Sequence, residues 1–450
     1  MFLSPRLTKE RTATEMAETQ KNIRTINIAI LGLGTVGGGV YKLIERQKES
    51  FAKKIGCHLA VKKILVRNIN KTREGVDASL LTDNFDEIIN DSDIDMVVEL
   101  MGGIHPAKEY VLQALAAGKQ VVTANKDLIA AHGEEVFAAA AKNNLDFKFE
   151  AAVAGGIPVI APLMKSLAVN NIEEIIGIVN GTTNFILTKM ASEGMEFGDA
   201  LAEATRLGYA EADPTADIEG YDAARKCAIL STLAFHSWVT DKNVITEGIT
   251  RITAADIHYA KEMGYVIKLL AIAREVDGEI VSSVYPALIP GTHPLATVND
   301  SFNAVFIRGD AVGDTMFYGR GAGEFPTASA VMGDIMEVAS DILKDSCGSV
   351  GEVCYRKLPL KSQSEIRNRF FLRMQVEDKP GVMAAIANIF SINNVSMKQL
   401  LQKSMGENEA ELMIVTEKVK EQSFRNALRL LTEMEIIKGV SNVIRVHGLR

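Results

Sequence analysis

The chain of 450 residues holds four cysteines, Cys57, Cys227, Cys347 and Cys354. They are scattered and show no metal-ligand spacing, which argues against a disulfide scaffold or a zinc module and fits reduced thiols in the cytoplasm. No apolar run reaches the roughly 18 residues that a bilayer span needs, so no membrane partner is expected. An excess of positive charge is also missing. The formal net charge is −8, whereas a nucleic-acid surface leaves a basic footprint; no nucleic-acid partner is expected either. There is a single tryptophan, and no internal repeat or low-complexity tract. What is present, 47% hydrophobic and 24% charged residues, is the composition of ordinary globular domains, and the length suggests about three of them. The first 24 residues are polar with mixed charge, lack the apolar core of a signal peptide, and read as a flexible leader.

The most informative segment is Thr25–Gly37. An apolar, β-rich run (Ile26, Ile28, Ala29, Ile30, Leu31) enters Gly32-Leu33-Gly34-Thr35-Val36-Gly37, and a helical pattern follows through Val40, Leu43 and Ile44. A strand that ends in G-x-G-x-x-G and opens a helix is the dinucleotide-binding fingerprint. Gly32 permits the tight turn, Gly34 lets pyrophosphate approach the backbone, and Gly37 allows close helix–strand packing. The helix start offers free N–H groups to phosphate. Strand patterns at Ile26–Leu31, Leu59–Val66, Met96–Leu100, Gln120–Thr123 and Phe147–Ala151 alternate with helical ones at Pro106–Ala117 and Gly133–Lys142. That order predicts a Rossmann-type, doubly wound parallel sheet over 25–152.

A different pattern occupies 153–325. Helices are expected at Pro158–Ala168, Asn184–Glu193 (capped by Thr183 or Asn184), Gly198–Leu207 and Thr215–Phe235. Strands follow at Val281–Leu288, Val305–Gly309 and Thr315–Tyr318, as in an α+β substrate and dimerisation domain. A helix over 326–343 is expected to pack back on the first domain. Residues 344–367 read as a linker. From 368 to 450 the order is β (Phe370–Val376), α (Val382–Ile392), β (Val395–Gln402), β (Glu409–Thr416), α (Glu421–Met434), β (Val443–Val446), a ferredoxin-like βαββαβ unit.

The second strand of a dinucleotide fold that binds NAD ordinarily ends near an acidic residue that takes the ribose hydroxyl. Here it ends Leu65-Val66-Arg67-Asn68. A guanidinium suits a 2′-phosphate, so Arg67 favours NADP(H) over NAD(H), with use of both left open.

The densest chemistry lies in 204–226, ATRLGYAEADPTADIEGYDAARK. Asp222 and Lys226 stand i and i+4 on one helix and share a face, just before the apolar stretch Cys227–Phe235. A charged pair at the mouth of a buried helix can tune a lysine's proton affinity. This segment resembles the homoserine dehydrogenase signature at Ala204, Gly208, Asp213-Pro214, Asp217, Gly220, Asp222 and Lys226. Gly32–Gly37, Thr123-Ala124-Asn125-Lys126, Asn180–Asn184 and Gly319–Ser329 are similar to further segments of that family, in the same order.

The resemblance implies an NAD(P)-dependent oxidoreductase that interconverts L-homoserine and L-aspartate 4-semialdehyde in threonine, methionine and isoleucine biosynthesis. It implies Lys226 as acid/base, Asp222 as the residue that orients it and touches substrate, and Lys126 as a contact to cofactor and reacting oxygen. Substrate would meet Gly181, Thr182, Glu211, Asp217 and Asp222. Cofactor would meet Gly32–Gly37 (Leu33, Thr35 and Val36 included), Arg67, Thr123, Lys126, Gly321 and Gly323. Backbone carbonyls of Glu150, Val153, Gly155 and Ile157 are similar in position to a sodium-binding loop. The C-terminal unit, with Asp378-Lys379-Pro380-Gly381 before its first helix, resembles the ACT family. That implies a homodimer or homotetramer and an amino-acid effector, threonine by expectation, with Asn394 and Gln399 near its junction.

Overall fold

A computed structural model describes residues 23–348 and 353–448; the leader expected over 1–24 lies almost entirely outside them. The described chain divides into two units. The first runs through Thr123 and adds Glu135–Phe149 and the segment that begins at Val331; the second holds Ala124–Glu134, Glu150–Ala330 and the chain from Val353 onward.

The first unit begins with β1 (Thr25–Leu31), α1 (Thr35–Ile55), β2 (His58–Leu65), β3 (Leu81–Thr82), α2 (Asp86–Ile89), β4 (Met96–Glu99), α3 (Ala107–Ala116) and β5 (Gln120–Thr123). The helix α4 (Lys126–Lys142), which carries a non-helical residue at His132, and β6 (Phe147–Lys148) follow. The strands form one parallel sheet in the order β3-β2-β1-β4-β5-β6. This is the dinucleotide-binding order, and its direction reverses between β1 and β4, where ligands of such sheets sit. From Ile28 to Leu31 every residue of β1 is fully buried, as a central parallel strand covered on both faces requires. Gly56 closes α1 in the left-handed region (φ 78), after Lys53 and Lys54 have met the negative end of the helix dipole.

The second unit contains β7 (Ile172–Ile178), α5 (Gly181–Glu193), α6 (Phe197–Arg206), α7 (Thr215–Ile218), α8 (Tyr221–Phe235), β8 (Ile245–Thr246), α9 (Ala254–Glu262), β9 (Tyr265–Val276), β10 (Glu279–Pro290), β11 (Phe302–Gly309) and β12 (Gly313–Arg320). The helix α10 (Glu324–Lys344) then passes from the second unit into the first at Val331. The C-terminal portion is β13 (Arg367–Glu377), α11 (Val382–Ile392), β14 (Met397–Gly406), β15 (Glu409–Thr416), β16 (Val419–Lys420), α12 (Glu421–Thr432) and β17 (Ile437–Val446). Its core is sealed by Phe370 stacked on Phe424 at 4.0 Å and by buried Leu372, Ile386, Phe390, Leu412 and Leu431.

Four sequence expectations are corrected here. The helix expected at Pro158–Ala168 is shorter, a turn at 160–161 that passes into a π turn at Pro162–Ser166; the carboxylate of Glu150 caps its start by accepting the N–H groups of Val159, Ile160 and Ala161. The single helix expected over Thr215–Phe235 breaks at Gly220, which sits at φ 84 with Thr246 and Val284 pressed against its Cα. The helix expected from Asn184 starts at Gly181, capped by Asn180. Beyond the two-residue β3, β8 and β16, two longer strands, β7 and β9, went unread. Both lie inside one sheet that runs β12-β11-β7-β9-β10-β17-β13-β15-β14. The catalytic and ACT-like parts therefore share a sheet, joined where β10 pairs in parallel with β17 (Ala287 with Arg445, Leu288 with Val446). Among the described residues, no helix is long and apolar enough to cross a membrane.

Candidate active site

At the switch point of the parallel sheet, the glycine turn is fixed from two sides. The N–H of Gly32 donates to the Leu65 carbonyl at the end of β2 (3.0 Å), and that of Leu100 to the Leu31 carbonyl (2.8 Å). Gly32 sits at φ +98, and a Cβ on it would lie 2.8 Å from the Leu100 carbonyl oxygen. A Cβ on Gly37 would lie 2.1 Å from the Gly32 oxygen. These two glycines are required by packing. Gly34 differs, since no atom lies within 4 Å of where its Cβ would be; it leaves open space ahead of α1. Gly34 also occupies the N-cap without a side-chain cap, so the helix start keeps N–H groups for an anion. Arg67 stands two residues beyond β2, exposed, and makes no hydrogen bond or ion pair among the described residues. This arrangement fits a dinucleotide. Thr123, at the end of β5, is buried and donates to Glu99 (2.6 Å), whose other oxygen takes the Met101 N–H (2.8 Å). Its hydroxyl hydrogen is thus engaged within the protein.

The second unit gathers the charged residues of the signature. The left-handed turn at Gly220 starts α8 afresh, placing Asp222 in its first turn, where the helix dipole favours a carboxylate. A close approach holds this turn from behind: a Cβ on Gly248 would lie 2.2 Å from the Ile218 oxygen. Asp222 is buried, and both its oxygens are occupied. Lys126 reaches one at 2.8 Å, and Lys226 reaches the other at 2.6 Å. Lys226 gives a second hydrogen bond to the Val179 carbonyl, just past β7 (2.7 Å). Asn180 organises the rest. Its Oδ1 caps α5 by accepting the Thr183 N–H (2.9 Å), and its Nδ2 donates to Asp217 (2.6 Å) and Asp222 (2.9 Å).

The lysines are pushed in opposite directions. Burial pulls Lys226 down from the ordinary lysine range, against the pull of Asp222, and the nearby Lys126 charge adds to the fall. Burial also acts on Lys126, but the Asp222 and Asp127 carboxylates outweigh it and raise that group. For Asp222, burial is overcome by the two ammonium groups, which hold the carboxyl far below its usual range. Asp217 is raised by burial and by Asp222, with Asn180 opposing.

The remaining residues from the sequence are placed less uniformly. Thr182 is buried, and its hydroxyl donates to the Tyr209 carbonyl (2.7 Å). Gly181 opens α5 against the Ser301 carbonyl, 2.8 Å from where a Cβ would stand. Glu211 lies exposed in the loop after α6 and makes no hydrogen bond or ion pair among the described residues; the structure does not tie it to the cluster. Asn180, by contrast, went unassigned in the sequence although it bonds to both carboxylates. Its signal was a capping residue placed three positions ahead of Thr183.

Two further loops cross each other. Gly155 (φ 54) presses on the Gly321 carbonyl, 2.2 Å from its would-be Cβ, and Gly156 presses on Pro326. Gly321 in turn lies against the Asn303 amide, and Gly323 is at φ +119. Across 150–157 the Glu150 carboxylate is consumed by three N–H groups at 2.6, 2.8 and 2.6 Å. An ion in this loop would have to be held by backbone oxygens, the expectation for Glu150, Val153, Gly155 and Ile157, and the Glu150 carbonyl already accepts the Val153 N–H (3.4 Å). Neutral carbonyl ligands fit a hard alkali cation and not a transition metal. No cluster of three or more His, Cys, Asp or Glu side chains suited to a metal occurs among the described residues.

Comparison with known proteins shows the family. The family model described as homoserine dehydrogenase matches residues 158–336, its NAD-binding domain matches 32–150, and the ACT domain matches 370–435. A homoserine dehydrogenase of Corynebacterium glutamicum is 48% identical over 94% of this chain and 96% of its own length. One from Bacillus subtilis is 43% identical over 95% and 99%. The crystal structure of a homoserine dehydrogenase from Thiobacillus denitrificans superposes with a TM-score of 0.90 at 41% identity, covering 95% of this chain and 99% of that one. A hyperthermophilic archaeal homoserine dehydrogenase mutant in complex with NADPH gives a TM-score of 0.59 at 30% identity, covering 71% and 98%.

Proposed function

The chain belongs to the homoserine dehydrogenase family, and from that membership we propose how its residues divide the interconversion of L-homoserine and L-aspartate 4-semialdehyde. The nicotinamide, when bound, supplies or accepts the hydride. The proton belongs to Lys226. An ammonium has three donors, and Asp222 and Val179 take two of them, which leaves one for the reacting oxygen. In aldehyde reduction, Lys226 gives its proton to the developing alkoxide. In homoserine oxidation, the neutral amine takes it from the hydroxyl. Burial brings that amine within reach by lowering its proton affinity. Lys126 does the complementary work: raised rather than lowered, it stays cationic and stabilises negative charge on the same oxygen. Two like groups pushed apart by their surroundings take different roles. The shared carboxylate of Asp222 between them is the observation that carries this reading.

Asp222 orients both lysines and, with Asp217 and Glu211, supplies carboxylates for the substrate's α-ammonium group. Gly181 and Thr182 border the same substrate. Gly32, Leu33, Gly34, Thr35, Val36 and Gly37 hold the pyrophosphate; Arg67 takes a 2′-phosphate, which makes NADPH the preferred cofactor; Thr123, Lys126, Gly321 and Gly323 complete its contacts. Carbonyls of Glu150, Val153, Gly155 and Ile157 hold a sodium ion that stiffens the crossing with the Gly321 loop. The ACT domain binds threonine as a feedback effector, and the enzyme works in the cytoplasm as a homodimer or homotetramer. The test is oxidation of NADPH and NADH by the purified protein with L-aspartate 4-semialdehyde, with and without threonine. Turnover with preference for NADPH is expected; no turnover with either cofactor would overturn the reading.

A further inference from the structure

A cavity of about 500 Å³ opens inside the second unit, where β7, β9 and β11 of the catalytic part meet the first and last strands of the ACT domain. Its wall carries Arg274, Arg308, Arg367, Arg369 and Lys418. Against these five cations stand two lining carboxylates, Glu174 and Asp314, and Arg369 also pairs with Glu417 at 3.4 Å. The imbalance is notable in a chain whose overall charge is −8. The carboxylates are already committed. Asp314 holds Arg308 at 2.7 Å, and Glu174 is shared between His447 at 3.2 Å and Arg308 at 3.5 Å. Among the described residues, the hydrogen bonds of the Arg367 and Arg274 side chains go to the Lys418 carbonyl (3.3 Å) and to the Asn368 side chain (3.3 Å). The Nε of Arg274 is buried with no acceptor among the described residues. A buried donor without a partner is costly, and more so on a charged group.

We propose that this cavity binds an oxyanion, a phosphate or carboxylate group on a small metabolite, between the catalytic sheet and the ACT domain. Guanidinium groups match the planar, two-oxygen face of such anions; among the described residues Arg367 makes no ion pair, and Arg274, which faces Glu174 across the β7–β9 pairing and lowers its carboxyl, makes no direct salt bridge to it. Phe306, with Arg308 over its ring at 5.7 Å, and Ile176 give the bound molecule an apolar wall. The site also has a route to chemistry. Glu174 and Ile176 lie on β7, and Val179, whose carbonyl holds Lys226, follows three residues after Ile176, about 10 Å along an extended chain. An anion that competes for Arg308 and loosens Glu174 acts at one end of a strand whose continuation holds the proton carrier.

Calorimetric titration of the full-length protein with inorganic phosphate and, separately, with citrate tests this, with potassium chloride at matched ionic strength as the control. Saturable heat with either probe, absent with chloride, is expected, and the stronger of the two identifies the chemistry of the natural ligand. Arg367 and Lys418 are exposed, so the Arg367→Ala, Lys418→Ala double variant should fold, as its unfolding midpoint will show, and should weaken binding by about ten- to a hundredfold, the usual worth of charge-assisted hydrogen bonds. No saturable heat into the millimolar range, or binding unchanged in the folded double variant, would overturn the proposal. Neither readout depends on the catalysed reaction.

Discussion

Replacing Asp222 by asparagine removes the carboxylate that Lys126 and Lys226 share at 2.8 and 2.6 Å, while it keeps the volume and one acceptor. Two ammonium groups then face each other with no counter-charge between them. Breaking a buried pair by removing one partner costs about 3–5 kcal/mol. At about 2 °C per kcal/mol for a large domain, the melting midpoint at neutral pH should fall by about 6–10 °C. The sign with pH follows from the direction of the shift. The folded-state carboxyl is held far below its usual range, so its stabilisation is complete above the unfolded value of about 4 and is lost only as pH falls toward the folded one. The deficit of Asp222→Asn should therefore be constant across neutral pH and shrink only in strong acid. Catalysis gives a second readout. Asp222 raises Lys226 against burial; without it, the amine loses its proton at lower pH. The residual oxidation of homoserine should thus inflect at a lower pH than in the wild type, with turnover down about a hundredfold from lost orientation. Stopped-flow pH profiles and calorimetry on the same samples decide. An unchanged inflection together with an unchanged melting midpoint would refute the shared-carboxylate account.

Lys226→Ala should lower turnover by about 10²–10⁴-fold in both directions while NADPH affinity, read by fluorescence, stays within error, because the lost contact acts on the transition state. Arg67→Ala should raise the NADPH dissociation constant by about ten- to a hundredfold and leave that for NADH unaltered; equal effects on both would remove the 2′-phosphate assignment. Lys268, buried in β9 and bonded to Asn184, Val298 and Asn299, is pulled down to about 8 by burial. Between about pH 8 and 10.5 the unfolded chain binds more protons there than the folded one, so this group makes stability rise with pH across that window, by up to about 3 kcal/mol. Urea melts of Lys268→Met over the same window should show that slope flattened.

The nucleotide-binding sheet was legible because its signals are local. A fully buried parallel strand reads as an unbroken apolar run, and Gly32, Gly34 and Gly37 follow one directly. The helix Val382–Ile392 and the strand Glu409–Thr416 fall where the pattern put them: the helix is buried on one face, at Val382, Ile386 and Phe390, and the strand, though buried from Ala410 to Thr416, follows directly on the turn at 407–408. The strand β9 escaped because it shows no alternation. YVIKLLAIAREV is buried from Ile267 to Ala273 on both faces, so period-2 alternation vanishes and the run resembles a buried helix. No local signal announces the pairing of β10 with β17 either, because register between strands about 160 residues apart is decided by tertiary packing.

The candidate site shows the same division more sharply. The i, i+4 relation of Asp222 and Lys226 is a property of any helix, and so could be read directly. What makes the pair chemically unequal to a surface salt bridge is non-local: Lys126 arrives from the start of α4, Val179 from the end of β7, and Asn180 from the cap of α5. The break at Gly220 is decided in the same way. A continuous helix from Thr215 would satisfy propensity, but Gly248 approaches the Ile218 carbonyl so closely that the chain must turn there. That turn places Asp222 at a helix start instead of mid-helix, and only there do the dipole and two lysines act on it together. The proton chemistry proposed for Lys226 thus depends on a glycine 22 positions downstream.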